Sequence, residues 1–323
     1  MGATPRVDAG LLPVPQEARL ARPERQNLHR HVKPFIDENP ISRALHFSMC
    51  EVQSRMQLLD PHALALEYTR TMMGFLLFNP QPRNIVMIGL GGGSLAKFCY
   101  RHLPQSHIQV VEINPHVIAL RDEFHVPPDD ERFTVRCGDG AQFVRDGSNR
   151  CDVLLVDGFD SDGLPARLCS RRFYDDCRKA LQPDGIMVVN LYVGHPRYDL
   201  HVERIRRSFD DALLVVDDGE QRNRIAFACN GNALDRRLPG VVRRPKNLDR
   251  RAADQLLAAF ARVASAHEQM WLRHFAHSPR GAEPAPSERL RAHERLAKAI
   301  GLASPMADAV CPRPGGALND QRR

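Results

Sequence analysis

A doubly wound α/β fold is predicted for this 323-residue chain by three observations. Short, near-continuous apolar runs recur along its middle, as strands buried on both faces of a parallel sheet require. Amphipathic stretches separate those runs, as the covering helices should. A glycine-rich turn follows the first run directly and opens the first of these helices. The balance of 43% hydrophobic and 26% charged residues belongs to a folded globular protein and excludes wholesale disorder.

Residues 1–45 are rich in proline, arginine and polar residues and read as an irregular lead-in. From Ala44 to Leu59 the alternation predicts a short strand pair, which Asp60-Pro61 ends. Apolar residues at helical spacing then predict a helix over 63–78, stopped by Asn79-Pro80-Gln81-Pro82. The core strands are 84–90, 108–113, 133–137, 151–157 and 185–193, with helices between them. Residues 212–218 and 224–230 read as a final antiparallel pair, so the doubly wound core runs from about 83 to 230. A long amphipathic helix is expected over 248–275, a linker over 278–286, a second helix over 287–300 and a frayed tail over 304–323.

The net charge of +6 is unevenly placed. Residues 231–323 hold 17 basic and 9 acidic side chains, whereas the rest of the chain is close to balanced. With no aromatic interleaving in the basic stretch, nucleic acid is not an expected partner. Eight scattered cysteines, with no zinc spacing, read as reduced structural thiols of a cytoplasmic protein. No apolar run is long enough to span a bilayer and the N-terminus lacks a signal-type apolar stretch, so a membrane is not expected either. No metal site is expected.

Chemistry concentrates at the carboxyl ends of the predicted strands. Gly89, Gly91, Gly92 and Gly93 let the backbone approach a ligand, and the helix that follows presents free N–H groups. Glu112 closes the second strand, where an acid reaches the hydroxyls of a bound ribose. Asp139, before Gly140, follows the third strand, and Asp157 ends the fourth. Each acid also suits a helix cap or a turn, and tight β–α turns use glycine for steric reasons alone. Together at successive strand ends they point to a nucleoside site.

This arrangement resembles the spermidine/spermine synthase (polyamine aminopropyltransferase) family, a branch of the class I S-adenosylmethionine-dependent transferases. The resemblance spans roughly 46–193 and rests on Gln53, the turn at 89–94, VEIN (111–114), CGDG (137–140), DGFDSDGLPA (157–166) and FYDDCRKALQPDGIMVVN (173–190). It implies a Rossmann-like class I methyltransferase-type sheet, a small N-terminal β-domain and a homodimer. It also implies S-adenosylmethionine or its decarboxylated form as co-substrate, held by Gln53, the glycines, Glu112, Ile113, Asp139 and Gly140. Asp157 would be the catalytic acid and Asp160 a second carboxylate that grips a small-molecule amine. The implied organisation is an irregular segment (1–45), a small β-domain and connecting helix (46–82), a nucleoside-binding catalytic domain (83–232) and a basic helical tail (233–323).

Three positions depart from the family pattern. Gly92 stands where members carry an acid that holds the amino group of the decarboxylated co-substrate, which tilts the site toward the intact form. Arg70-Thr71-Met72 matches a tyrosine-histidine-glutamate run; its cation either repels a polyamine or pairs with Glu67. Pro165-Ala166-Arg167 replaces a "PAE" acid. The expected activity is alkylation of an amine, as in aminopropyl transfer for polyamine biosynthesis. Methyl transfer on the same scaffold and a non-catalytic binding or regulatory role are the alternatives. His195 and His201 are expected at the surface, and Trp271 against the core.

Overall fold

The computed structural model describes residues 31–48, 51–147, 150–159, 163–238, 245 and 248–276. Three strands, β1 (Phe35–Glu38), β2 (Ser42–Ser48) and β3 (Glu51–Gln57), form a small antiparallel sheet. A seven-stranded sheet follows, made by β4 (Asn84–Ile88), β5 (His107–Glu112), β6 (Phe133–Cys137), β7 (Cys151–Val156), β8 (Leu181–Tyr192), β9 (Leu213–Asp217) and β10 (Asn223–Asn230). Its order is β6-β5-β4-β7-β8-β10-β9. β10 runs antiparallel to both neighbours, and the pairs from β6 to β8 are parallel. The chain winds outward from β4 through β5 to β6, then returns to β7 on the other side of β4. The order reverses between β4 and β7, and a doubly wound sheet leaves its ligand crevice at that reversal.

The helices are α1 (Glu67–Met72), which continues as a 3-10 turn Met73–Leu77, α2 (Ser94–His102), α3 (Pro115–Ile118), α4 (Gly140–Arg145), α5 (Arg171–Ala180), α6 (Tyr198–Ser208) and α7 (Arg250–Ala276). Alternate residues of the central strands enter two separate cores, as period-2 geometry demands. Val86, Ile88, Leu154, Val156, Met187 and Val189 meet Phe173, Tyr174, Cys177 and Ile205 of α5 and α6 on one face. Ile85, Met87, Val153, Leu155, Ile186 and Val188 share the other face with Phe75, Phe98, Leu256, Phe260 and Val263. Leu45 and Met56 of the small sheet join this second core. None of the described helices is long and apolar enough to cross a membrane.

The structure differs from the sequence reading in three places. Residues 35–45 are not irregular: β1 and β2 pair across a turn in which Asn39 Oδ1 accepts the Ile41 and Ser42 N–H groups at 3.0 and 2.8 Å. The small sheet therefore begins ahead of 46; residues 1–30 lie outside the described part. The helix expected over 63–78 starts at Glu67 and tightens at Met73. A Cβ on Gly74 would lie 2.8 Å from Val263 Cγ2 and 3.0 Å from Phe227 Cζ, so this turn packs by close backbone approach.

The third difference concerns α7, which is no appended tail. Ala252, Ala253, Leu256, Ala259, Phe260 and Val263 form a buried stripe at helical spacing. Gln255 Oε1 accepts the Leu64 N–H at 2.9 Å, and Arg262 bonds Glu67 and Thr71. The linker, second helix and tail read over 278–323 lie outside the described residues. A chain ending at residue 276 should therefore give a cooperative thermal unfolding transition. One ending at 247 should be recovered as aggregate, because the face that takes Leu256, Phe260 and Val263 would stand open; solubility and a melting curve check both.

Candidate active site

Between β4 and α2 the chain makes its glycine turn. Gly89 has φ +96°, and a Cβ there would lie 2.2 Å from the carbonyl oxygen of Asp157, so only glycine lets the ends of β4 and β7 approach this closely. The Asp157 N–H in turn donates to the Ile88 carbonyl at 2.9 Å. Glu112, at the end of β5 and 8% exposed, holds the turn in place. Its Oε2 accepts the Leu90 N–H and its Oε1 the Asn114 N–H, both at 2.8 Å. Burial pushes its carboxyl above the usual carboxylate range, against the pull of N–H groups from Asn114, Leu90, Ile113 and Gly91.

The small sheet covers this turn. Ser54 is buried and its Oγ lies 3.4 Å from that of Ser94, the first residue of α2. Gln53 is the extra residue of a β-bulge, between the pairs Leu45–Ser54 and His46–Val52. Bulges of this kind re-aim a side chain beside a functional site. A Cβ on Gly92 would lie 2.8 Å from both Phe124 Cδ1 and Ser54 Oγ. The space for any side chain at position 92 is thus already filled.

Asp139 caps α4, accepting the Ala141 N–H at 2.9 Å, and also pairs with Arg167 Nη1 at 2.6 Å. The arginine that replaces the family's acid therefore meets the aspartate expected at the adenine. Asp157, half-buried, stands one step past the last registered pair of β7 and β8, Val156–Val189. Its Oδ1 accepts Asn190 Nδ2 at 2.9 Å, and it also accepts the Tyr68 hydroxyl of α1. Lost solvation raises the Asp157 pKa from its ordinary 3.8, against these two hydrogen bonds; burial, and after it the charge and hydrogen bond of Asp157, pushes the Tyr68 hydroxyl far up.

The structure thus brings Gly89, Gly91, Gly92, Gly93, Glu112, Asp139, Gly140 and Asp157 to one edge of the sheet, with Gln53 on the sheet above; Asp160 lies outside the described residues. Arg70 does not face Asp157. Its Nη1 bonds Glu67 at 2.7 Å and its Nε the Leu64 carbonyl at 2.8 Å. His201 is buried rather than exposed, its pKa lowered by burial to about 4. Trp271 is half-buried under the guanidinium of Arg237, 5.2 Å from the ring centre. No group of three or more metal-binding side chains occurs among the described residues.

Sequence reasoning missed Tyr68 and Asn190 as site residues. Each carried a signal: a tyrosine in an otherwise unremarkable helix start, and a polar residue closing an apolar strand.

Strand order, glycine turn and acid-lined edge define a class I methyltransferase-like α/β protein. The solved structure of a probable spermidine synthase from Corynebacterium glutamicum shares this fold, with a TM-score of 0.54 at 16% identity over 87% of this chain and 95% of that one. The spermine/spermidine synthase domain profile matches residues 65–208. A polyamine aminopropyltransferase from Chromobacterium violaceum is 40% identical over 196 residues, covering 58% of this chain and 75% of that protein. One from Neisseria meningitidis serogroup A is 37% identical over 215 residues, covering 66% and 82%. The chain belongs to the spermine/spermidine synthase family and is a transferase.

Glu112→Gln would set an amide N–H₂ against a backbone donor and discharge the turn. Denaturant titration should show a loss of about 1.5–3 kcal/mol, the scale of hydrogen bonds to a charged group.

Proposed function

We propose that this protein alkylates an amine from a sulfonium co-substrate, transferring the aminopropyl group of decarboxylated S-adenosylmethionine in polyamine biosynthesis. The observation that carries the reading is Asp157, a partly desolvated carboxylate set between Tyr68 and Asn190 beside the glycine turn. The aminopropyltransferases among its relatives support the same assignment.

An aliphatic amine is mostly protonated at neutral pH and has no lone pair to attack with. Asp157 binds the ammonium and takes a proton from it, a task its raised pKa favours. The freed nitrogen attacks the methylene carbon next to sulfur. The carbon–nitrogen bond forms as the carbon–sulfur bond breaks, its electron pair leaving on a neutral thioether. Charge disappears from sulfur and reappears on the secondary ammonium, so alignment supplies much of the rate. The Tyr68 hydroxyl keeps the carboxylate oriented throughout.

The nucleoside would be held by the glycines, with Glu112 on the ribose, Ile113 as apolar surface and Asp139 with Gly140 at the adenine. Ile113 is 37% exposed at that edge. Gln53 would reach the site from the bulge. Position 92 offers no carboxylate to the far end of the co-substrate, so the intact form remains a competitor for the same site. We extend the proposal to a homodimer acting in the cytoplasm. Ile41 and Leu59, 69% and 92% exposed in the turns beside the small sheet, offer it apolar surface.

Calorimetric titration with S-adenosylmethionine, its decarboxylated form and methylthioadenosine is the direct test. Tight binding of the decarboxylated form, with aminopropyl transfer, is expected; silence from all three would overturn the reading. Asp157→Asn should lower turnover by about 10²–10⁴-fold, a general base's usual contribution, while methylthioadenosine affinity stays within about twofold. Its Tm should equal or exceed the parent's, because the substitution removes a desolvated charge. Since the carboxylate is the active form, kcat/KM should fall on acidification through a pKa above the ordinary 3.8, and this acid limb should vanish in Asp157→Asn. Unchanged turnover in that variant would remove Asp157 from the mechanism.

A further inference from the structure

Lys97 stands in the first turn of α2 and is 0% exposed. A lysine is almost never buried so completely unless its charge is paired. Its Nζ donates to the Phe124 carbonyl oxygen at 2.7 Å, and among the described residues no carboxylate forms an ion pair with it. Lost solvation lowers its pKa from 10.5 to about 8. A buried cation is costly, and the proposed proton transfer does not use this one.

Lys97 ties two segments together at the glycine turn. Its backbone N–H bonds the Gly93 carbonyl at 2.8 Å, so the residue is anchored in the turn itself. Its ammonium reaches the 120–126 segment, whose side chains pack against the glycines. Phe124 Cδ1 lies 2.8 Å from where a Cβ of Gly92 would stand, and Val126 Cγ2 blocks the same place at Gly93. Between them His125 has φ +55°, a left-handed conformation that persists where the surroundings impose it. Arg43 of β2 adds a second tie, bonding the Glu123 carbonyl and pairing with its carboxylate at 2.9 Å.

The charged groups around Lys97 leave its ammonium to this task. His62, ahead of α1, has its pKa lowered by burial and then by the charges of Arg101 and Lys97, with Asp60 opposing. Arg101 and His102 follow on α2, and His102 pairs with Asp249 at 3.2 Å. Of the strands packed on α2, β3 buries Ser54 and Met56 and turns Arg55 to solvent. The other, β5, ends on Glu112, whose oxygens take backbone N–H groups.

We propose that Lys97 is a positioning residue of the co-substrate site, a buried cation that clamps the 120–126 segment against the glycine turn and so sets nucleoside affinity. The inference rests on the reading of that turn as the nucleoside site, and it adds the residue that preorganises it. A charged donor holds a carbonyl about twice as strongly as a neutral one, so affinity follows the protonation of the ammonium. Stability moves the other way. Folding lowers the Lys97 pKa, so the unfolded chain holds the extra proton between about pH 8 and pH 10.5, and stability rises with pH across that window.

The test is calorimetric titration of the full chain with methylthioadenosine, beside melting curves, in steps from about pH 7 to about pH 9.5. Neither adenine nor ribose changes charge in that interval. Affinity of the parent should fall roughly 3–10-fold with a midpoint near 8, while its Tm rises relative to that of Lys97→Met. Lys97→Met, close in length but without a donor, should bind methylthioadenosine roughly 10-fold more weakly at neutral pH and show no such fall. A residue that only supported the fold would move stability and affinity in the same direction, and that result would overturn the inference. So would a parent whose affinity is flat across the interval, which decides the matter even if Lys97→Met does not fold and leaves the nucleoside reading standing. A parent that binds no methylthioadenosine at any pH would remove the nucleoside reading and this inference with it.

Discussion

The crevice of this protein is organised around a single buried carboxylate. Glu112 sits at the end of β5, and each of its oxygens takes a backbone N–H, one from the glycine turn and one from the start of the next helix. A carboxylate so buried is costly unless such donors surround it. The strain-free partner is a turn whose N–H groups converge on one point, and that convergence is what left-handed glycines permit. With the turn locked, Gly89 can lie against the Asp157 carbonyl, and the ends of β4 and β7 are brought to contact distance. The glycine turn, Glu112 and Asp157 then lie along one continuous edge of the sheet.

Asp157, the carboxylate we propose as the base, is held by a different logic. Asp157 and Asn190 come from neighbouring strands on the same sheet face, and Tyr68 comes from α1, which α7 backs through Gln255 and Arg262. Neither hydrogen bond to Asp157 brings a formal positive charge. Burial therefore outweighs the two hydrogen bonds and keeps its pKa raised, the state the proposed proton transfer calls for, at some cost to stability.

The departures from the family pattern have structural partners. Arg70, which threatened to repel a cationic substrate, is tied to Glu67 within the Glu67–Arg262 cluster and to a backbone carbonyl. Arg167 is paired with Asp139, so this edge of the sheet carries a guanidinium where the pattern has an acid. Gly92 has no vacant space beside it, since Phe124 and Ser54 fill the volume a side chain would take. Each change is absorbed by its surroundings, and the site that results is the family's in frame and this chain's own in polar detail.

Strand runs, the glycine turn and the three acids at strand ends were legible in the sequence because each is local. Period-2 and continuous apolar patterns report burial, and a glycine turn reports its own backbone. The paired role of Tyr68 and Asn190 was not legible, since 122 residues of chain separate them and only the stacking of α1 over β8 makes them neighbours of Asp157. Likewise α7 read as a basic tail because its charges are visible in the sequence, while the groove that buries its apolar stripe exists only in the folded chain. His201 was misplaced for the same reason. By itself the sequence determined the elements, the family and the acids at the sheet edge, all properties of short segments. Tertiary structure alone decided which polar atoms are shielded from water and which are left without a partner, because desolvation depends on everything that surrounds an atom, from every part of the chain.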